Sequence, residues 1–146
     1  MGAGKKHKDL ARVWLRRAIE DLEVAKSLFE TKHFADSCYH AQQAAEKAVK
    51  ALLVTENAFI EGHKLSSWFR KVFSGKIENK KLMEMIKLLR ELETHWVKPR
   101  YPLIKGKGIW DPLSEYTDDV AMDALNKSET LFKEISKLLK KRGVKL

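Results

Sequence analysis

The chain has little of what would staple or interrupt it. One cysteine, Cys38, stands among 146 residues, so no disulfide can close within the chain, and this pattern suits a reducing compartment. Only three prolines and seven glycines occur, which leaves long stretches without a helix breaker. Asn and Gln number five in all beside abundant Lys and Glu, a balance met in hyperthermophile proteins. No run of about 18 apolar residues exists, which excludes a membrane-spanning helix. The opening Met1-Gly2-Ala3-Gly4-Lys5-Lys6-His7-Lys8 carries no apolar stretch behind its charges, so no secretory signal is read and the expected location is the cytoplasm. Carboxylates are in deficit as well, 20 against 29 Lys and Arg, giving a net charge of +9. Such a chain is drawn to polyanions, RNA, DNA and nucleotides among them, although Lys-rich helices also serve solubility alone.

What remains is helical periodicity within one domain spanning 1–146, with an ordered bundle expected over about 9–142 between basic tails. Ala11, Leu15, Ala18, Leu22, Ala25 and Phe29 alternate steps of four and three, predicting a first helix from Asp9 to Thr31. Phe34, Cys38, Ala41, Ala45, Ala48 and Leu52 do the same for a second, from Phe34 to Glu56. Its alanines let a neighbour approach closely, so the two are expected to pair as an antiparallel hairpin. A short third helix, capped by Ser66 or Ser67, ends near Ser74-Gly75, and a fourth covers Glu78 to Thr94. The last starts at Thr117 as N-cap, with Asp118 and Asp119 in its first turn, and stops at Lys140-Lys141-Arg142-Gly143. No strand candidate competes. The predicted fold is all-α, an up-and-down four-helix bundle with one additional short helix and a long loop before the last helix.

That loop breaks the pattern. All three prolines fall between Trp96 and Tyr116, with two of the four tryptophans and two of the three tyrosines. From Val97 to Trp110 it holds Lys98, Arg100, Lys105 and Lys107 and no carboxylate. Helix connections in bundles usually run ~2–8 residues, so a longer one points to function. Pro99 and Pro102 stiffen Arg100 and Tyr101, which lowers the entropy lost on binding. A guanidinium beside an aromatic ring suits a phosphate and a base. The structural alternative is that Trp96, Tyr101 and Trp110 pin the loop while its cations face water.

On the second helix Tyr39, Gln43, Glu46, Lys47 and Lys50 share one polar face, which either lines a cleft or dimer seam beside Arg100 or is simply solvated. His40 neighbours that face and is not read as a ligand. Cys38 lies on the apolar stripe, where thiols are inert packing. The five histidines offer no i,i+4 pair and no second cysteine exists, so no metal site is expected. His63, near a turn, reads as a structural hydrogen-bonding group. Lys105-Gly106-Lys107-Gly108 lacks the spacing of a phosphate loop, and no cofactor is implied.

Several of these stretches resemble one family. Trp14-Leu15-Arg16-Arg17-Ala18 through Asp21-Leu22, the run from Ser37-Cys38-Tyr39-His40-Ala41-Gln42-Gln43 to Leu52, Gly62-His63-Lys64-Leu65, and Arg100-Tyr101-Pro102 are together similar to the HEPN domain over roughly residues 10–140. The resemblance implies a compact helical bundle, commonly a homodimer, in toxin–antitoxin and defence systems beside a minimal nucleotidyltransferase. Many members are metal-independent ribonucleases that use an arginine followed four to six residues later by a histidine. Here no histidine follows Arg100. Arg90 and His95 have the spacing, but five residues of helix turn through about 140° and point the side chains apart.

The leading expectation is therefore a nucleotide- or RNA-binding protein using Arg100, Tyr101, Lys98, Lys105 and Lys107, with Tyr39, Gln43, Lys47 and Lys50 of the second helix. It would be a homodimer paired with a nucleotidyltransferase. A ribonuclease using Arg100, or Arg90 with His95, is the alternative. A non-catalytic protein-interaction module is the third.

Overall fold

Alternating apolar stripes on four long segments leave each helix with one face to bury, and the chain buries them against one another. The computed structural model describes residues 4–62 and 64–146. His63 and the first three residues lie outside the described residues. The helices are α1 (Lys5–Glu30), α2 (Phe34–Val54), α3 (Ser66–Phe73), α4 (Asn79–Glu93), α5 (Pro112–Glu115) and α6 (Asp118–Lys141), with strands β1 (Leu103–Lys105) and β2 (Gly108–Trp110) between α4 and α5. The all-α class holds, with α1, α2, α4 and α6 as the four long helices.

α2 is the central helix, packed against α1 on one side and α6 on another. Ala41, Ala44, Ala45, Ala48 and Ala51 are all fully buried, and their small size lets both neighbours approach. Two buried serines lock these contacts. Ser37 Oγ donates to the Ala25 carbonyl of α1 at 2.7 Å, and Ser128 Oγ of α6 donates to the Ala41 carbonyl at 2.8 Å. Phe69 and Phe73 of α3 are fully buried in the same core. Among the described residues no helix is long and apolar enough to cross a membrane.

The helix ends are set by local chemistry. Thr117 caps α6, its side chain accepting from the Val120 amide at 3.4 Å, with Asp118 and Asp119 in the first turn as the sequence predicts. The same helix ends with Gly143 at φ +81°, its amide on the Lys140 carbonyl and the Val144 amide on the Leu139 carbonyl. Val144 is thereby buried, so packing extends two residues past the expected end of the bundle at 142. The turn after α1 uses the same pair of bonds, His33 N to Leu28 O and Lys32 N to Phe29 O, with Lys32 at φ +66° in the position glycine usually holds.

Three expectations need correction. α1 begins at Lys5 and not Asp9, because nothing between the two breaks a helix. Ser66 lies inside α3 and does not cap it; its amide donates instead to Glu93 Oε1 of α4 at 3.1 Å. Strands do occur. β1 and β2 form an antiparallel hairpin pairing Leu103 with Trp110, Ile104 with Ile109 and Lys105 with Gly108. Gly106, at φ +60°, opens the two-residue turn, where its missing side chain is required.

Candidate functional site

The segment after α4 coils back on itself before reaching the hairpin. The Arg100 amide donates to the Val97 carbonyl at 3.0 Å, and Arg100 Nε donates to the Trp96 carbonyl at 2.7 Å. Pro99 is buried under this turn, which fixes the direction in which Arg100 leaves the backbone. The guanidinium then meets three rings. Its central carbon lies 4.7 Å from the centroid of Tyr39 on α2, 5.0 Å from Tyr101 and 5.2 Å from Trp96. Among the described residues no carboxylate pairs with it. A cation so held keeps part of its donor fork for an external acceptor, with rings beside it on which a base can stack.

The hairpin rises next to this cradle. Trp110 Nε1 donates to the Lys98 carbonyl at 2.8 Å, and Trp110 stacks edge-on to the buried Tyr116 at 6.1 Å. The ammonium groups of Lys105 and Lys98 lie 5.3 and 6.0 Å from the Trp110 ring. Lys107 is exposed at the tip, and Tyr101 is half exposed. Trp110 therefore pins the loop, while Tyr101 does not. Ile104 and Ile109, paired across the strands, are 88% and 75% exposed.

Beside Arg100 opens a cleft of about 350 Å³, bounded by residues 32–36, by Pro99, Arg100 and Pro102, by residues 111–113 and by Tyr116. Neither this cleft nor the part of Asp36 in it is apparent in the sequence. The only signal is that Asp36 falls in the first turn of α2, a position that an N-terminal acid explains equally well.

The polar face of α2 divides. Tyr39 joins Arg100, whereas Lys47 and Lys50 reach side chains of α1. Gln43 is 8% exposed and its amide donates to Gln42 Oε1 at 2.7 Å. Lys47 pairs with the buried Asp21 of α1, whose other oxygen meets His40 Nδ1 at 3.0 Å. Lys50 lies 3.9 Å from Glu46 and 5.2 Å from the Trp14 ring centroid. Lys47 and Lys50 thus each have a carboxylate partner within the chain, and the face is not freely solvated. Burial works to raise the Asp21 pKa, but hydrogen bonds from His40 and Lys47 outweigh it and hold the carboxyl below its ordinary value. Asp21 sits between Ala18 and Leu22 on a buried stripe, and an acid there is the signal in the sequence that a partner must face it.

The HEPN domain model matches residues 11–139. The chain belongs to the HEPN family. It is 43% identical over 136 residues, 90% of each chain, to a Methanocaldococcus jannaschii protein named "Putative toxin MJ1304". Its fold is similar to the crystal structure of TT1696 from Thermus thermophilus, with a TM-score of 0.74 and 26% identity over 87% of this chain and 96% of that one. ST0689, described as an archaeal HEPN homologue, shares the fold with a TM-score of 0.69 and 24% identity, over 88% and 97% of the two chains.

The one Arg–His spacing this HEPN chain offers, Arg90 with His95, lies apart from the Arg100 cradle in its surroundings. Arg90 is exposed on α4. His95 lies half-buried past the end of that helix, its Nδ1 2.9 Å from the Tyr116 hydroxyl and the two rings edge to face. Burial, reinforced by the Lys127 charge, pushes the His95 pKa down to about 4, so the ring is neutral at neutral pH. Proton transfer at neutral pH is best served by a group titrating near 7, and His95 is far from it. Cys38 is buried and its thiol pushed up to about 12 by burial and then by the Asp123 charge, which leaves it unreactive.

Proposed function

We propose that this HEPN chain is a toxin-like nucleotide- or RNA-binding protein, acting as a homodimer in a toxin–antitoxin-type pair with a minimal nucleotidyltransferase. The observation that carries the binding reading is the Arg100 cradle. A guanidinium with no carboxylate partner among the described residues is held by Tyr39, Trp96 and Tyr101 at the root of a hairpin bearing Lys105 and Lys107, with Lys98 in the turn before it. Bidentate contact from Arg100 to a phosphate, ring stacking on Tyr101 and long-range attraction from the lysines are three compatible contributions to gripping a strand. The net charge of +9 adds to the approach of a polyanion. The name of the Methanocaldococcus relative supports the toxin-like part of the reading, and the pairing with a nucleotidyltransferase rests on the family resemblance alone.

The test is a titration of fluorescently labelled single-stranded RNA with the metal-free protein, with aliquots run on a denaturing gel. Saturable, salt-sensitive binding with the RNA left intact supports a holding role. Cleavage of the strand would make the chain a ribonuclease, and no binding at any salt would remove the reading. Co-purification with the product of a neighbouring nucleotidyltransferase gene, measured by light scattering, tests the pairing.

A further inference from the structure

The cradle explains how a phosphate is held but leaves unused the cleft next to it. At about 350 Å³ the cleft falls at the small end of ligand pockets, which run from about 300 to 1,000 Å³. Its lining is rich in flat rings and aliphatic carbon, contributed by Phe34, Pro99, Pro102, Pro112 and Leu113. Its formal charges nearly cancel, with Lys32 and Arg100 against Asp36 and Asp111. A polyphosphate is poorly matched to such a balance, whereas a flat, uncharged, hydrogen-bonding heterocycle fits it.

The two carboxylates differ in availability. Asp111 is occupied as the N-cap of α5, Oδ1 accepting from the Leu113 amide at 3.0 Å and Oδ2 from Ser114 Oγ at 3.1 Å. Asp36 is exposed and makes no side-chain hydrogen bond or ion pair among the described residues. A free carboxylate is an acceptor only, so it favours a ligand edge that presents N–H groups and disfavours one that presents carbonyl oxygens.

The geometry points to this cleft as a nucleobase pocket selective for amino-bearing bases, with Asp36 as the residue that reads the base edge. This rests on the reading that Arg100 holds a phosphate of the strand. The base attached to that nucleotide turns out of the stack and enters between Phe34 and the prolines, and its exocyclic amine donates to Asp36. Adenine, cytosine and guanine carry such an amine; uracil offers two carbonyls around a single N–H and is turned away. An anionic acceptor strengthens the contact beyond a neutral one.

Fluorescence anisotropy with single-stranded RNA octamers of A, C or U, without metal, tests the assignment in four proteins: wild type, Asp36→Asn, Leu113→Trp and Arg100→Ala. Wild type is expected to bind the A and C octamers about ten-fold more tightly than the U octamer. Asn presents both a donor and an acceptor, so Asp36→Asn should erase that preference by letting U bind as well as A. Leu113 lines the cleft and is 86% exposed, so a tryptophan there leaves the core undisturbed and, by crowding the cleft, should bring A down to the level of U. Circular dichroism melts establish that both variants are folded. If Arg100-dependent binding is seen but is equal for A, C and U and unmoved by Leu113→Trp, the pocket is refuted while the phosphate reading stands. If none of the octamers binds, or Arg100→Ala changes nothing, the phosphate reading fails and the pocket falls with it.

Discussion

Arg100, in the connection after α4, and Tyr39, one turn into α2, meet with the guanidinium carbon 4.7 Å from the ring centroid. Cation–ring contacts contribute about 0.5–2 kcal/mol depending on how dry they are. Replacing Tyr39 with phenylalanine keeps the ring, so RNA affinity should stay within about two-fold. Tyr39→Ala removes one wall of the cradle and should weaken binding about five-fold, with little change in the thermal midpoint. Parallel anisotropy titrations and melts check both, and equal affinity for the two variants would show that the ring does not position Arg100.

The hairpin lysines are expected to act through charge and not geometry. Lys105→Gln with Lys107→Gln removes two cations near the strand, and the slope of log affinity against log salt should shrink by about 1.4. The A-over-U preference proposed for the cleft should be untouched. A slope equal to wild type would place the strand away from the hairpin.

His95 gives a pH signature. Its folded pKa, pushed down to about 4 mainly by burial, lies below the ordinary 6.5, so between those values the unfolded chain binds the extra proton. Stability from this group is complete above pH 6.5 and is lost as the pH falls toward 4. Stability read from urea midpoints should drop across that window by up to about 3 kcal/mol, and His95→Gln should flatten the dependence. An NMR titration with the His95 ring protonating near 6.5 would contradict the assignment.

Asp21 acts at lower pH. Its carboxyl is held below the ordinary 3.8 by His40 and Lys47 against the opposing effect of burial, so its contribution is present above that value and fades as pH falls through the folded pKa. Asp21→Asn should lower stability at pH 7 and remove part of the acid sensitivity below about pH 4. Lys47→Met tests the same pair from the other side. It leaves a buried carboxylate with one partner and should cost about 1–3 kcal/mol in chemical denaturation, with RNA affinity unchanged.

The turn between α1 and α2 stores strain. Lys32 adopts φ +66°, a left-handed conformation that costs an L-residue about 1–2 kcal/mol. Lys32→Gly should therefore raise the unfolding free energy by about 1 kcal/mol in urea titrations. No gain would mean that the lysine side chain offsets the strain through its own contacts.

Much of the fold was legible because it follows from stripes and stops. The Ala- and Leu-rich steps of α1 and α2, the Thr117 cap and the Gly143 stop each rest on local chemistry that the structure repeats. The hairpin was not legible: its strands are three residues long, and Lys105-Gly106-Lys107-Gly108 carries no alternating apolar pattern strong enough to announce them. Ser66 misled for a related reason. A hydroxyl before a helix suggests a cap, but Glu93 arrives from α4 and takes the amide instead. For the site, proline and aromatic enrichment pointed to Arg100 and Tyr101, and one of the two readings of the α2 polar face put it beside Arg100; what the sequence could not show is that Tyr39 is the member of that face whose ring meets the guanidinium. The fate of Lys47 and Lys50 was equally hidden, since a polar helix face looks the same whether it meets water or a buried acid on another helix.

The most direct measurement is the affinity of single-stranded RNA for wild type and Arg100→Ala, at low and moderate salt, with chelator present and both melting curves recorded. The variant is expected to melt like wild type and to bind at least about ten-fold more weakly, with a reduced salt slope. Undiminished affinity in a folded Arg100→Ala protein would contradict that expectation.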